Sequence, residues 1–355
     1  MRLATKPDFA DARERWEAFW NHEIVKRPIV CITAPKGESP TSDHPRYFPT
    51  EIGDVTAYAE QAKVVAQATF WGGEAIPVRE VGFGPDQYAA YLGGKLARSP
   101  DSPDTTWSVP VVECWEESLP LRLDSECSGW RTMLRLVETY ARVGEGSFLV
   151  AVPDLHSNLD ALSALRSPER LLMDLLDTPE LIDRAMLDVR ASYRPVYEAI
   201  YQAGRMAERG TVGWMPLYSV GRFAPVQSDV ICMLSPEHFR RWVLPALEEE
   251  TAFLDHSVMH YDGPRALIHL EDVLAIETLD GIQWTPGDGV PPMVEWLDLL
   301  KRIQAAGKSV WLWATMEEIK QVYHHALRPE LVVYFSSAPS EQTACEFLEW
   351  MENHT

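Results

Sequence analysis

Cysteine, basic charge and long apolar runs are all scarce in this 355-residue chain, and each shortage narrows what it can be. The five cysteines, Cys31, Cys114, Cys127, Cys232 and Cys345, are odd in number, widely scattered and without a CxxC pair. That argues against a disulfide framework and a cysteine-rich zinc site, and makes a reducing cytoplasm the simplest home. Lys and Arg total 32 against 53 Asp and Glu, a formal charge of −21. Such a field repels phosphate backbones and anionic lipid, so neither nucleic acid nor a membrane surface is an expected partner. No apolar stretch approaches the ~20 residues of a membrane span. The opening "MRLATKPDFADARERWEAFW" lacks the apolar core of a signal peptide. No glycine-rich nucleotide loop follows any apolar run, and no internal repeat is visible.

What is present is ordinary for a globular protein: 46% hydrophobic and 24% charged residues. The expectation is a single domain over residues 1–355, with residues 1–27 as an N-terminal helical extension. Phe9, Ala12, Trp16 and Phe19/Trp20 recur at helical spacing after Pro7-Asp8. Residues Pro35–Pro49, rich in Pro, Ser and Gly, read as a surface excursion. Eight short apolar runs end in polar residues: "PIVCITA", "AIPVREVG", "FLVAVPD", "TVGWMP", "SVMHYD", "DGIQWT", "SVWLWAT" and "LVVYFSS". Long helical stretches separate the later six. Three helix starts, Ser167-Pro168-Glu169, Thr178-Pro179-Glu180 and Ser235-Pro236-Glu237, each offer a hydroxyl cap, a first-turn proline and an acid at the positive helix end. Apolar strands alternating with helices indicate parallel strands buried on both faces. The expected fold class is therefore α/β, a (β/α)8 TIM barrel with an N-terminal helical extension. An open doubly wound sheet is the alternative.

In a barrel, chemistry collects at the C-terminal ends of the strands. Those ends are polar here. "SVMHYDGP" carries His260 and Asp262, whose i, i+2 spacing puts both side chains on one face of a strand. "FLVAVPDLH" ends in a second acid–imidazole pair, Asp154 and His156. "TVGWMPLYSVGRF" carries Trp214, Tyr218 and Arg222, with Gln227 and Asp229 close behind, and "DGIQWTPGDG" carries Gln283, Trp284 and Asp288. Each has a plainer reading. An Asp before Gly-Pro commonly closes a side-chain turn, a strand-end His is often a scaffold residue, and Asp288 sits in a loop. His269 falls on a helical stretch where it caps or packs. Most of the thirteen tryptophans belong to a core, with one or two free to form a stacking wall. Two acid–imidazole pairs at two strand ends favour a site.

The stretches "PDLHSNLDALSALRSPERLLMDLLDTPE", "QSDVICMLSPEHFRRWVLPAL", "HYDGP" and "LDGIQW" together resemble the uroporphyrinogen decarboxylase superfamily over roughly the last two-thirds of the chain. The resemblance implies a (β/α)8 barrel, and a homodimer. Two departures stand out. Decarboxylases of the superfamily carry an N-terminal "MRQAGRY"-like motif whose arginine handles substrate carboxylates; the corresponding region here reads "PIVCITAPKGESP". The zinc-dependent methyltransferases of the superfamily, which act on a methylated corrinoid protein, use His-x-Cys plus a later Cys as ligands. Here the pair is His260-Tyr261-Asp262, and the later position falls near Ser336 and Ser337. A zinc ligand set thus carries over to His260, with Asp262 as its partner. Carboxylate oxygen in place of thiolate sulfur would make a harder, more Lewis-acidic divalent metal centre.

These observations point to a divergent enzyme of that superfamily acting on a small molecule. The expected reaction is metal-assisted methyl or other group transfer centred on His260 and Asp262, with Asp229 or Tyr218 moving protons. Arg222 would hold an anionic group, and Trp214, Gln227, Gln283, Trp284, Asp154 and His156 would line the substrate. The alternatives are a cofactor-free decarboxylase or lyase, in which a cationic side chain stabilises developing negative charge, and a non-catalytic barrel that binds a small molecule.

Overall fold

The computed structural model describes residues 2–37, 40, 44–99 and 101–355, with the backbone alone for residues 102–104. The strands in chain order are β1 (Ile29–Pro35), β2 (Thr69–Gly73), β3 (Val78–Arg79), β4 (Lys95–Ser99), β5 (Ser102–Val109), β6 (Leu149–Val150), β7 (Thr211–Val212), β8 (Tyr218–Ser219), β9 (Phe223–Gln227), β10 (His256–Asp262), β11 (Gly281–Thr285), β12 (Ser309–Trp313) and β13 (Val332–Ser337). A seven-stranded sheet runs in the order β2-β1-β13-β12-β11-β10-β9. All of its neighbours pair in parallel except β2, which runs antiparallel to β1 at the edge. Beyond it, β3 and β6 form a short parallel pair. A single parallel bridge from Val152 to Gly213 then joins the β6 segment to the β7 segment. The strands thus make a mixed α/β fold with a parallel central sheet.

Three of the eight expected strands are reduced to two residues each, in "AIPVREVG", "FLVAVPD" and "TVGWMP". "TVGWMP" supplies only Thr211–Val212, which turns back on β8 as an antiparallel pair. The strand beside β10 is instead β9, "FAPVQ". Pro225 in its middle lacks an N–H and cannot donate to a ladder. Here β9 is the terminal strand of its sheet, where a missing donor breaks no ladder. Gly213 lies against the ring: a Cβ there would come within 2.5 Å of Pro225 Cδ.

Strand alternation sorts the side chains into two cores. Val30, Ile32, Val226, Met259, Tyr261, Ile282, Trp284, Val310, Leu312 and Tyr334 face the helical layer. Ile29, Cys31, Phe223, Val258, Val333 and Phe335 face the other way, and the helix Phe9–Trp20 covers them with Phe9, Trp16, Phe19 and Trp20. The extension is also fixed by charge. Arg27 and Arg15 both pair with buried Glu74, at 2.6 and 2.7 Å. A carboxylate buried there needs both guanidinium partners.

The helices Pro168–Asp177, Pro179–Ala203 and Pro236–His238 start where the Ser/Thr-Pro-Glu signals place them. Ser167 and Ser235 accept the expected capping bonds, whereas the Thr178 side chain makes none. The Pro35–Pro49 stretch is not surface throughout. Phe48 is buried, its N–H donates to the Gly82 carbonyl, and His44 packs edge-on against Phe48 and Tyr140. Residues 38, 39 and 41–43 of that stretch lie outside the described residues. Among the described residues, no helix is long and apolar enough to cross a membrane.

Candidate active site

The register of the parallel strands makes Gln227, His260, Gln283 and Trp311 direct neighbours across β9, β10, β11 and β12. In a sheet, side chains at matched positions share a face, so these four form one row on the face away from the helical layer. Within the row, His260 Nδ1 lies 2.6 Å from Gln283 Oε1. An amide oxygen only accepts, so Nδ1 carries the hydrogen and the neutral ring keeps its lone pair at Nε2. The Trp214 ring stands edge-on to the imidazole, with centroids 5.4 Å apart.

Around this imidazole the structure leaves polar atoms unused. Gln227 is 2% exposed, yet neither its amide oxygen nor its amide nitrogen has a hydrogen-bond partner. The indole N–H groups of Trp214 and Trp311 and Asp154 Oδ1 are buried in the same condition. Leaving a buried donor or acceptor unsatisfied costs about 1–3 kcal/mol each. A cluster of them beside an oriented histidine has the character of a binding surface rather than of a core.

The second acid–imidazole pair closes directly on itself, with His156 Nε2 3.4 Å from Asp154 Oδ2. Burial alone would lower the His156 pKa, but Asp154, Asp160, Asp229 and Asp86 together raise it. Burial raises the pKa of Asp154; His156 and His260 oppose that rise, while Asp229 and Asp86 add to it. Asp262, at the end of β10, is also raised by burial, lowered by His260 and raised by Asp229. The two pairs and Asp229 therefore lie within one electrostatic neighbourhood. Among the described residues, the Asp262 carboxylate accepts no side-chain turn bond, so the turn-closing reading falls away.

Two buried acids escaped the sequence reading. Asp160 accepts the backbone N–H groups of Asp229 and Val230, at 2.8 and 3.0 Å, and the Ser228 hydroxyl. It thereby fixes the turn that carries Asp229, and burial pushes it to about 6. In sequence it reads as an acid in the first turn of the helix Asn158–Arg166, a common helix-end feature. Glu250 accepts the Ser157 hydroxyl at 2.6 Å, and burial pushes it to about 8. It is one of three successive glutamates in "LEEETAF", and only the helix phase against its neighbours picks out which is buried.

Three expected site residues lie elsewhere. Arg222 precedes β9, at the opposite end from Gln227, roughly 16 Å away at ~3.3 Å per residue. There it pairs with Glu198 at 3.1 Å and sits over the Phe253 ring. Tyr218 is at the same end, buried against Phe9, with its hydroxyl donating to the Arg209 carbonyl. Trp284 follows inward-facing Gln283, so alternation turns it outward, against Tyr261 and Trp296 in the helix-side core. His269 packs, stacked on Phe239 and bonded to the Ile231 carbonyl.

A cavity of about 600 Å³ opens beside Trp214, bordered also by Arg46, Arg79, Glu80 and Gly213. Its borders come from the C-terminal ends of β3, β6 and β7 and from the segment 44–46. Glu80 is exposed at the residue level, and the crowding of its carboxyl and nearby Asp154 raise its pKa while Arg46 opposes the rise. Trp214 borders both this cavity and the His260 imidazole.

The metal reading meets a shortage of donors. Zinc takes three or four protein ligands, and among the described residues no group of three or more His, Cys, Asp or Glu side chains converges to hold one. His260 and Asp262 supply two at most, and Gln283 already occupies His260 Nδ1.

The architecture is shared with a methyltransferase from Methanosarcina mazei, at a TM-score of 0.60 and 13% sequence identity, covering 96% of this chain and 98% of that one. At this identity the likeness is one of fold. No family model and no curated protein matches the sequence.

Proposed function

We propose that this chain is a divergent enzyme of the uroporphyrinogen decarboxylase superfamily, a (β/α)8 barrel that transfers a methyl or comparable group to a small polar molecule at its mouth. The observation that carries the reading is the His260–Gln283 hydrogen bond, which occupies Nδ1 and leaves His260 Nε2 free to accept a proton. Transfer of a methyl group to an O–H, N–H or S–H acceptor leaves one proton to be removed. As the acceptor lone pair forms its bond to the methyl carbon, the donor departs with the electrons of the broken bond and His260 Nε2 takes the proton. Asp262 and Asp154 lie within electrostatic reach of the imidazolium so formed. Gln227 and the Trp214 and Trp311 indoles supply donors and an acceptor that orient the substrate.

The fold shared with a methyltransferase supports this reading. A methylated corrinoid protein is the donor that the sequence resemblance implies. The donor set described above does not complete a zinc site, so no step here runs through a metal.

A cofactor-free decarboxylase or lyase is the second reading, favoured by the cationic Arg79 and Arg46 on the cavity. The deciding experiment incubates the protein with methylcobalamin and a panel of thiol, amine and phenol acceptors, with carbon dioxide release from carboxylates measured in parallel. Methylated product that falls 10²–10⁴-fold in His260→Asn, a typical general-base loss, supports transfer. Carbon dioxide release with no methylation replaces it with the lyase. Ligand binding without any product leaves a binding barrel.

A further inference from the structure

Arg79 ends β3 on the border of the cavity beside Trp214. Its Nε is buried with no hydrogen-bond partner, and no carboxylate pairs with its guanidinium among the described residues. That is unusual for this chain, whose acids outnumber its bases 53 to 32. Most of its other buried or half-buried arginines are matched: Arg27 and Arg15 by Glu74, Arg166 by Asp174, Arg222 by Glu198. An arginine withdrawn from water without a counter-ion is costly unless something else supplies the charge. The nearest acid in sequence, Glu80, borders the same cavity but makes no ion pair with Arg79. Arg46 borders the same cavity with its guanidinium over the Tyr47 ring, 5.3 Å from the centroid. The Trp214 indole N–H adds a third unspent donor on the same wall.

We infer that Arg79 holds the carboxylate or phosphate of an anionic substrate in this cavity, with Arg46 and the Trp214 N–H beside it, so that the reacting end of the molecule lies across Trp214 at His260. The inference rests on the mouth being the active site proposed above. A guanidinium presents a planar fork of N–H donors that matches either anion with two parallel bonds. Trp214 gives the connection its geometry, because one ring both borders the cavity and stands edge-on to the imidazole. The same assignment gives back the anion-holding role that Arg222 cannot perform from the opposite end of β9.

The test is calorimetric titration at low ionic strength with three probes that share a ring: benzoate, phenyl phosphate and neutral benzyl alcohol. The expected result is that one of the two anions binds at least tenfold tighter than benzyl alcohol, and which one does so tells carboxylate from phosphate. Arg79→Gln then weakens that anion tenfold or more and leaves benzyl alcohol binding within about threefold. Arg79→Lys, which keeps the charge and loses the fork, falls between wild type and Arg79→Gln, and decides the question if Arg79→Gln does not fold. Equal binding of anions and benzyl alcohol, or equal anion binding by wild type and both Arg79 variants, overturns the inference. The two readings fail separately. Arg79-dependent anion binding without turnover sinks the enzyme and supports the anion site, whereas His260-dependent turnover with an unchanged KM in Arg79→Gln sinks the anion site alone.

Discussion

His260 and Gln283 are direct partners in the register of β10 and β11, and the amide oxygen of the one holds Nδ1 of the other at 2.6 Å. A sheet register places the two side chains shoulder to shoulder without help from any loop, so the imidazole is oriented by the most rigid part of the fold. Gln283→Leu keeps the size and removes the acceptor. We expect kcat to drop by about 10- to 100-fold with KM little changed, in line with the loss of a supporting partner of a functional histidine. In wild-type protein, imidazole nitrogen NMR should show the Nδ1-protonated ring at His260, and a mixture of tautomers in the variant. An Nε2-protonated ring in wild type contradicts the assignment.

The Asp154–His156 pair makes a direct prediction about titration. Because carboxylates led by Asp154 raise the His156 pKa against the lowering effect of burial, its imidazole should titrate above the ordinary 6.5 in wild type. In Asp154→Asn it should titrate lower. Proton NMR of the imidazole C–H resonances across pH 5 to 9 measures both. An unmoved His156 resonance would mean that the pair is not electrostatically joined.

Glu250 ties stability to pH. Its pKa in the fold is about 8, raised by burial from an ordinary 4.5. A raised carboxyl stabilises the fold most at low pH, where it is protonated. That contribution is lost as pH rises from about 4.5 and is gone above about 8, on the order of a few kcal/mol in all. Denaturant unfolding at pH 5, 7 and 9 should therefore show wild type losing more stability than Glu250→Gln, which has no such proton to release. Parallel curves for the two proteins would refute the buried acid.

Trp214 and Trp284 separate function from packing. Trp284 is buried in the helix-side core, and Trp284→Ala should cost about 3–5 kcal/mol, as large aromatic truncations in cores do. Trp214 is only half-buried, so Trp214→Phe should leave the unfolding midpoint within a few degrees while weakening substrate or benzoate binding. Equal thermal losses in the two variants would place Trp214 in the core as well.

The chain announced its element types well because the signals are local. Ser167-Pro168 and Ser235-Pro236 fix helix starts through one side chain and one ring, and a run such as "SVMHY" has few alternatives to a buried strand. The i, i+2 spacing of His260 and Asp262 was equally legible, since pleating alone decides that both leave the same face. The same rule applied to "GIQWT" separates Gln283 from Trp284, but which of the two faces the mouth depends on what covers each side.

Everything that depends on distance between strands was settled only in three dimensions. The sequence of "LYSVGRFAPVQ" gives no sign that Tyr218 and Arg222 belong to one end of β9 and Gln227 to the other, because chain proximity over a strand conceals a separation of roughly 16 Å. Nor does it show that Arg79, 181 positions before His260, comes to the same mouth through Trp214. Pro225 reads as a strand breaker until β9 proves to be terminal in its sheet, and Asp160 reads as a helix-end acid until its carboxylate is found holding the turn of Asp229. Residue type and spacing by themselves determined the α/β elements and the two acid–imidazole pairs. Which charged groups meet, and which stay unpaired, was decided by the packing of strands distant in sequence, because burial and electrostatics act through space.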